Sequence, residues 1–157
     1  MSSHHRLTDE RRTVSDKPIV DKALGYVLNR GRLLALRHVE YPYEQTGIQV
    51  PGGTIHSGET PAQAVLRECR EETGLNGLTL ISKLGQARYD ISPLRHEIQR
   101  RHFFHLAANG PVPERWRSVE EHDGLLPPTH LECFWIPLRW AHALASGHGA
   151  LIGRLPL

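Results

Sequence analysis

Apolar positions recur along this chain in short stretches, with polar punctuation between them. Ala23–Asn29 (ALGYVLN) and Arg32–His38 (RLLALRH) are strand-like, and Asn29-Arg30-Gly31 between them is a turn signal, so the two predict a hairpin. A loop with Tyr41, Pro42 and Tyr43 follows, then a short strand over Ile48–Val50 and a turn at Pro51-Gly52-Gly53. Leu78–Tyr89 offers one or two strands broken near Gly85, and Arg100–Ala107 (RRHFFHLA) another. Asn109–His130 is proline-rich and reads as an irregular lid or loop, Leu131–Pro137 (LECFWIP) as the last strand, and Leu138–Ser146 (LRWAHALAS) as a helix ending at Gly147. Residues 1–17 are charged and weakly apolar. They are expected to form a flexible arm ahead of one domain over 18–157. The pattern is a β-rich α+β chain with two principal helices.

The other of these helices has the clearest boundaries. Thr60-Pro61-Ala62-Gln63 is a capping box with proline in the first helical position, no further proline or glycine occurs before Gly74, and Gly74 supplies a left-handed stop. At roughly 100° per residue, Ala62, Val65, Leu66, Cys69 and Thr73 share an apolar arc. Glu68, Glu71 and Glu72 fall on the neighbouring arc, and Arg67 stands four residues before Glu71.

Glu59, just before the helix, adds a fourth carboxylate to that set. Clustered like charges repel unless a cation offsets them, so the segment predicts a site for a divalent cation handling a phosphate substrate. A Glu-rich helix face by itself is usually only solvated. Here the whole stretch, GTIHSGETPAQAVLRECREETGL from Gly53 to Leu75, resembles the Nudix box. Gly53, Glu59, Arg67, Glu68, Glu71, Glu72, Gly74 and Leu75 all match its pattern, and Cys69 stands where a larger aliphatic residue is more usual.

The resemblance implies a Nudix fold, a mixed β-sheet sandwiched between helices (α/β/α), and a Mg²⁺-dependent pyrophosphohydrolase, with Mn²⁺ as substitute cation. It makes Glu68, Glu71, Glu72 and the Gly52 carbonyl the metal ligands and gives Arg67 the task of orienting the glutamates. Glu68 is the first choice as catalytic base and Glu59 the second, and members that take the base from outside the box point to Glu97, Glu120 or Glu121. The expected substrate is a small molecule, a nucleoside diphosphate linked to a nucleotide, a sugar or a longer phosphate chain. Family habit favours a homodimer.

Composition adds bounds. The length of 157 residues suits one domain, and the net charge of +2 does not suggest a polyanion-coating protein, so nucleic acid is an unlikely partner. No unbroken apolar run predicts a membrane span. The start, MSSHHRLTDERR, has no apolar signal region, and two cysteines are too few for a disulfide framework. Both are expected to be reduced in a cytoplasmic setting.

Outside the box the signals thin. Arg37, Arg88, Arg100 and Arg101 are candidate phosphate contacts, because guanidinium forks fit phosphate oxygens. Tyr41, Tyr43 and Trp116 are candidates for stacking on a base. Subfamily signatures fit imperfectly: Pro93 and Tyr89 stand 18 and 14 residues beyond Leu75. Two other readings stay open: a catalytically silent nucleotide-sensing module, disfavoured by the intact glutamates, and an RNA 5′-end pyrophosphohydrolase, disfavoured by the absence of a basic stripe.

Overall fold

The computed structural model describes residues 16–156, so the expected arm lies outside the described residues except for Asp16 and Lys17. Alternating side chains build the strands β1 (Ile19–Asn29), β2 (Arg32–His38), β3 (Gly52–Thr54), β4 (Leu78–Asp90), β5 (Ile98–Ala108), β6 (Arg115–Glu120) and β7 (Thr129–Pro137). The α-helices are α1 (Tyr43–Thr46) and α2 (Pro61–Thr73). One mixed sheet runs β4-β5-β1-β2-β7-β6, with β3 added on β1. The β1–β5 pair is parallel and the other pairs are antiparallel.

The predicted hairpin forms. Arg30 and Gly31 both take positive φ (51° and 72°), the twist that a two-residue hairpin requires. Beyond it the strands diverge at once, since β1 and β2 pair only at Leu28–Leu33 and Asn29–Arg32. The segment 48–54 fills the split. Leu36 and Gln49 exchange backbone hydrogen bonds, the Gly25 amide donates to the Pro51 carbonyl at 2.9 Å, and β3 pairs with Lys22–Leu24. Ile48–Val50 therefore contributes single bridges to Leu36 and Leu144 rather than the expected strand, and the expected glycine turn is strand β3.

Each face of the sheet has its own core, as period-two alternation requires. Ala23, Val27, Leu34, Leu36, Phe104, Leu106, Leu131 and Cys133 pack against Ala64, Val65 and Cys69 of α2. Gly25 makes this approach feasible, because a Cβ there would stand 2.7 Å from Cys69 Sγ. Leu24, Tyr26, Leu33, Phe103, Phe134 and Ile136 pack on the other face with Val50, Ala141 and Leu155. The 3₁₀ segments at Leu138–Ala143 and Ile152–Arg154 cover that face with α1, which gives a mixed sheet between helical layers.

Three further expectations change. Leu138–Ser146 is not an α-helix: its 3₁₀ segment stops at Ala143 because the Ala145 amide turns back to donate to the Ile48 carbonyl at 2.8 Å. Asn109–His130 is not all loop, since β6 lies within it, paired to β7 from Arg115–Phe134 to Glu120–Thr129. The Trp116 indole donates to the Thr73 carbonyl at 2.8 Å and so ties β6 to the end of α2. β4 runs unbroken through Gly85, absorbing two register shifts, at Leu80/Ser82 and Lys83/Gly85.

Candidate active site

The box helix forms as its caps dictate. Thr60 Oγ1 accepts from the Gln63 amide at 3.1 Å and Gln63 Oε1 accepts from the Thr60 amide at 2.9 Å, a reciprocal cap that stabilises the helix by about 1 kcal/mol. Gly74 closes the helix with φ +71°. Because Glu68 and Glu72 are one turn apart, both turn inward toward β3, with 5% and 7% of their surface exposed, while Glu71 stays at the surface.

Gly53 makes room for a carboxylate and Gly52 for the close approach of β3 to β1. A Cβ on Gly53 would lie 2.4 Å from the Glu68 carboxyl carbon, so no other residue leaves the carboxylate where it is. A Cβ on Gly52 would lie 2.5 Å from the Ala23 carbonyl oxygen. The Gly52 amide donates to Glu72 Oε1 at 2.6 Å, which fixes the buried carboxylate against β3.

Arg67 organises the rest. Its Nε and Nη2 donate to the two oxygens of Glu59 at 2.7 and 2.9 Å, and Nη1 donates to Glu68 at 2.8 Å and to Glu71 at 3.2 Å. Nη2 also donates to the Thr54 carbonyl at 3.0 Å. The Arg67 guanidinium holds the Glu59 carboxyl down at about 2. Burial dominates at the inner carboxylates: it raises Glu68 and pushes Glu72 well above the usual range, with the Glu120 charge adding to the rise at Glu72.

Glu120 completes the cluster. It ends β6, and one carboxylate oxygen from each of Glu68, Glu71 and Glu120 lies within 4.8 Å of the others. Partial burial raises the Glu120 carboxyl as well. Among the carboxylates considered from outside the box, Glu120 is thus the one brought to Glu68 and Glu71. Glu121 is exposed one residue on, and Glu97 lies before β5, 3.7 Å from Arg95. Three hard oxygen donors converging on one point, with buried negative charge that no protein cation fully offsets, suit a divalent cation such as Mg²⁺.

On the face of the sheet opposite α2, a cleft of about 410 Å³ reaches this cluster at Gly52, Gly53 and Glu72. Its walls include Lys22, Tyr89, Gln99, Arg101, Ser146 and His148. Of the candidate substrate contacts, only Arg101 lines it. Arg37 instead pairs with Glu132 at 2.7 Å, Arg100 pairs with Asp21 at 2.6 Å, Arg88 is exposed on β4, and Tyr43 is exposed at the start of α1, where Gln45 and Thr46 rather than Tyr43 face the cleft. Trp116 is a packing residue under α2. Tyr89, noted in the sequence only as an imperfect subfamily signature, also lines the cleft, whereas Lys22, Gln99 and His148 were missed because they belong to three separated segments and no local pattern links them. Burial lowers His148 to about 3, so its ring is neutral and its Nδ1 accepts from the Val50 amide at 3.1 Å.

A NUDIX domain model matches residues 20–155. The 8-oxo-dGTP diphosphatase of Haemophilus influenzae is 36% identical over 64 residues, 40% of this chain and 47% of that protein. The RNA pyrophosphohydrolase of Brucella ovis is 46% identical over 46 residues, 29% of this chain and 26% of that protein. The chain thus spans between about a quarter and about half the length of these curated relatives. In three dimensions the MutT protein of Methanosarcina mazei superposes with a TM-score of 0.64 at 21% identity, covering 88% of this chain and 94% of that one, a likeness of fold. Among the described residues, no helix is long and apolar enough to cross a membrane.

Proposed function

The chain belongs to the NUDIX family, and from that premise we propose that it is a Mg²⁺-dependent pyrophosphohydrolase that uses water to split the diphosphate linkage of a nucleoside diphosphate joined to another group. The observation that carries this reading is the convergence of Glu68, Glu71 and Glu120 beside the buried Glu72, at the mouth of a cleft large enough for a nucleotide. Mg²⁺ held by Glu71, Glu72, Glu120 and the Gly52 carbonyl would neutralise the diphosphate and acidify a water, and Mn²⁺ would substitute.

The protein's own residues supply the remainder. Glu68 accepts the proton of the attacking water. Its carboxylate is buried and, among the described residues, makes one hydrogen bond, to Arg67, so an oxygen remains for the water. Glu59 is the poorer base, because both of its oxygens are engaged by Arg67 and its carboxyl is held at about 2. It serves to fix Arg67, which fixes Glu68. Arg101 contacts the substrate phosphates from the cleft wall.

The intact carboxylate set favours turnover over silent sensing. The relatives named above differ in what they act on while matching this chain over short stretches, so the box does not choose the substrate. The test is a panel of nucleoside triphosphates, dinucleoside polyphosphates and nucleotide sugars, scored for phosphate and pyrophosphate release. Release that needs Mg²⁺ and disappears in Glu68→Gln is the expected result. No product from any compound with Mg²⁺ or Mn²⁺ would overturn the assignment.

A further inference from the structure

The cleft contains a charge arrangement that the fold does not require. Lys22 on β1 and Arg101 on β5 are register partners on adjacent parallel strands, and both side chains face the cleft. Like charges at opposed positions of neighbouring strands destabilise a sheet. Arg101 is only 3% exposed, and a buried cation is costly without a carboxylate partner.

Neither cation has such a partner. Among the described residues no carboxylate lies within 4.0 Å of either one. Of the two carboxylates whose charge Lys22 feels, Glu68 is bonded by Arg67 at 2.8 Å, and Glu97 stands 3.7 Å from Arg95 with a buried oxygen that makes no hydrogen bond among the described residues. Burial lowers both cations, and the Arg95 charge and, less, the Arg101 charge lower Lys22 further.

What holds the pair is neutral and rigid. Lys22 Nζ donates to Thr54 Oγ1 at 2.6 Å. Arg101 donates from Nε to Gln99 Oε1 at 3.0 Å and from Nη1 to the Ser146 carbonyl, which leaves Nη2 without a protein partner among the described residues. The guanidinium lies over the Tyr89 ring, 4.3 Å from its centroid. Gly147 packs against this stacked pair, where φ is +74° and a Cβ would stand 2.7 Å from the Tyr89 ring and 3.2 Å from Arg101 Nη1.

We propose that Lys22 and Arg101 form a two-cation clamp for the phosphate chain beyond the bond that is cut, and that the protein therefore prefers substrates with three or more linked phosphoryl groups over diphosphates joining two uncharged groups. This rests on the pyrophosphohydrolase reading and deepens it. One end of the cleft is acidic and made for a cation; the adjoining wall is cationic and uncompensated. A nucleotide sugar carries too little negative charge to occupy both. A nucleoside triphosphate or dinucleoside polyphosphate reaches across β1 and β5 and neutralises the clamp.

The test is calorimetry with Mg²⁺ and two non-hydrolysable probes, a methylene-bridged nucleoside triphosphate and a methylene-bridged nucleotide sugar, on wild type, Lys22→Gln and Arg101→Lys. Wild type should bind the triphosphate analogue about tenfold more tightly or better, and Lys22→Gln should remove about tenfold of that affinity while the sugar analogue changes less than about twofold. Arg101→Lys keeps the charge without the stacked fork and should retain part of the preference. Equal binding of the two probes by wild type, or equal loss of both in Lys22→Gln, overturns the clamp, because a merely structural lysine would affect both alike. Turnover of the unmodified nucleotides, measured on the same preparations, separates the two claims: a retained preference without turnover sinks the hydrolase reading alone, and turnover without preference sinks the clamp alone.

Discussion

Replacing Arg67 with glutamine removes the one cation around which the acidic cluster is arranged. The Arg67 side chain is 22% exposed and bonds at once to Glu59, Glu68 and Glu71, whose side chains are 15%, 7% and 44% exposed. The Glu71 contact is exposed enough to be worth little. The contacts to Glu59 and Glu68 are charge-assisted and sheltered, at about 1.5–3 kcal/mol each. They share one guanidinium and do not simply add, so the total loss is about 3–5 kcal/mol, the range for breaking a buried pair while its partner stays behind. For a chain of this length that lowers the melting temperature by roughly 10 °C. The assay is thermal unfolding followed by circular dichroism, in EDTA and in saturating Mg²⁺. The full deficit is expected in EDTA. In Mg²⁺ it should shrink to less than half, because the bound cation then offsets Glu68 and Glu71, leaving Glu59 exposed to the loss. A shift below about 2 °C in EDTA, or a deficit indifferent to Mg²⁺, would refute the claim that Arg67 and the cation neutralise the same carboxylates.

Glu72→Gln keeps an oxygen for the Gly52 amide, so the fold should survive while Mg²⁺-dependent turnover drops about a hundredfold; a wild-type rate would remove Glu72 from the site. Gly53→Ala drives a methyl group into the Glu68 carboxylate and should lower kcat by about tenfold or more without abolishing folding, a split read from steady-state kinetics beside a melting curve. The pH dependence of stability should differ with and without the cation. In EDTA the folded protein holds Glu68, Glu72 and Glu120 above their unfolded values, so these carboxylates add stability as pH falls from neutral toward about 5, while His38, His105 and His148, lowered by burial, subtract it over the same range whether or not the cation is bound. Glu59 is held down and works the other way, but its contribution is lost only below its unfolded value of about 4.5, as pH falls toward about 2. Saturating Mg²⁺ should remove the carboxylate contribution, so the gain in melting temperature from Mg²⁺ should shrink as pH falls from neutral toward about 5, and a gain that does not vary with pH would contradict the linkage.

The helix and its carboxylates were legible because their determinants are local. A capping box, a proline at the first position and a terminal glycine set α2 over Pro61–Thr73, and helical periodicity alone puts Glu68 and Glu72 on one row. The strands with strong alternation were readable for the same reason. β6 was not: RWRSVE is an exposed edge strand whose apolar content is Trp116 and Val119, and only its ladder to Leu131–Phe134 makes it a strand. Glu120 could be suspected but not chosen, since its place beside Glu68 depends on that ladder and on Trp116 reaching Thr73. The C-terminal LRWAHALAS has the look of a helix, yet a tertiary bond from Ala145 to Ile48 takes its last turn away. The cleft was the least readable part, because parallel pairing of β1 with β5 joins Lys22 to Arg101 across nearly eighty residues of sequence.

The account stands on a cation held by the acidic cluster. Anomalous diffraction at the manganese edge, from a crystal soaked in Mn²⁺, tests it most directly. The expected result is a peak within coordination distance of Glu71, Glu72 or Glu120, beside Gly52 and Glu68. A saturated crystal with manganese elsewhere and none at these carboxylates would contradict it.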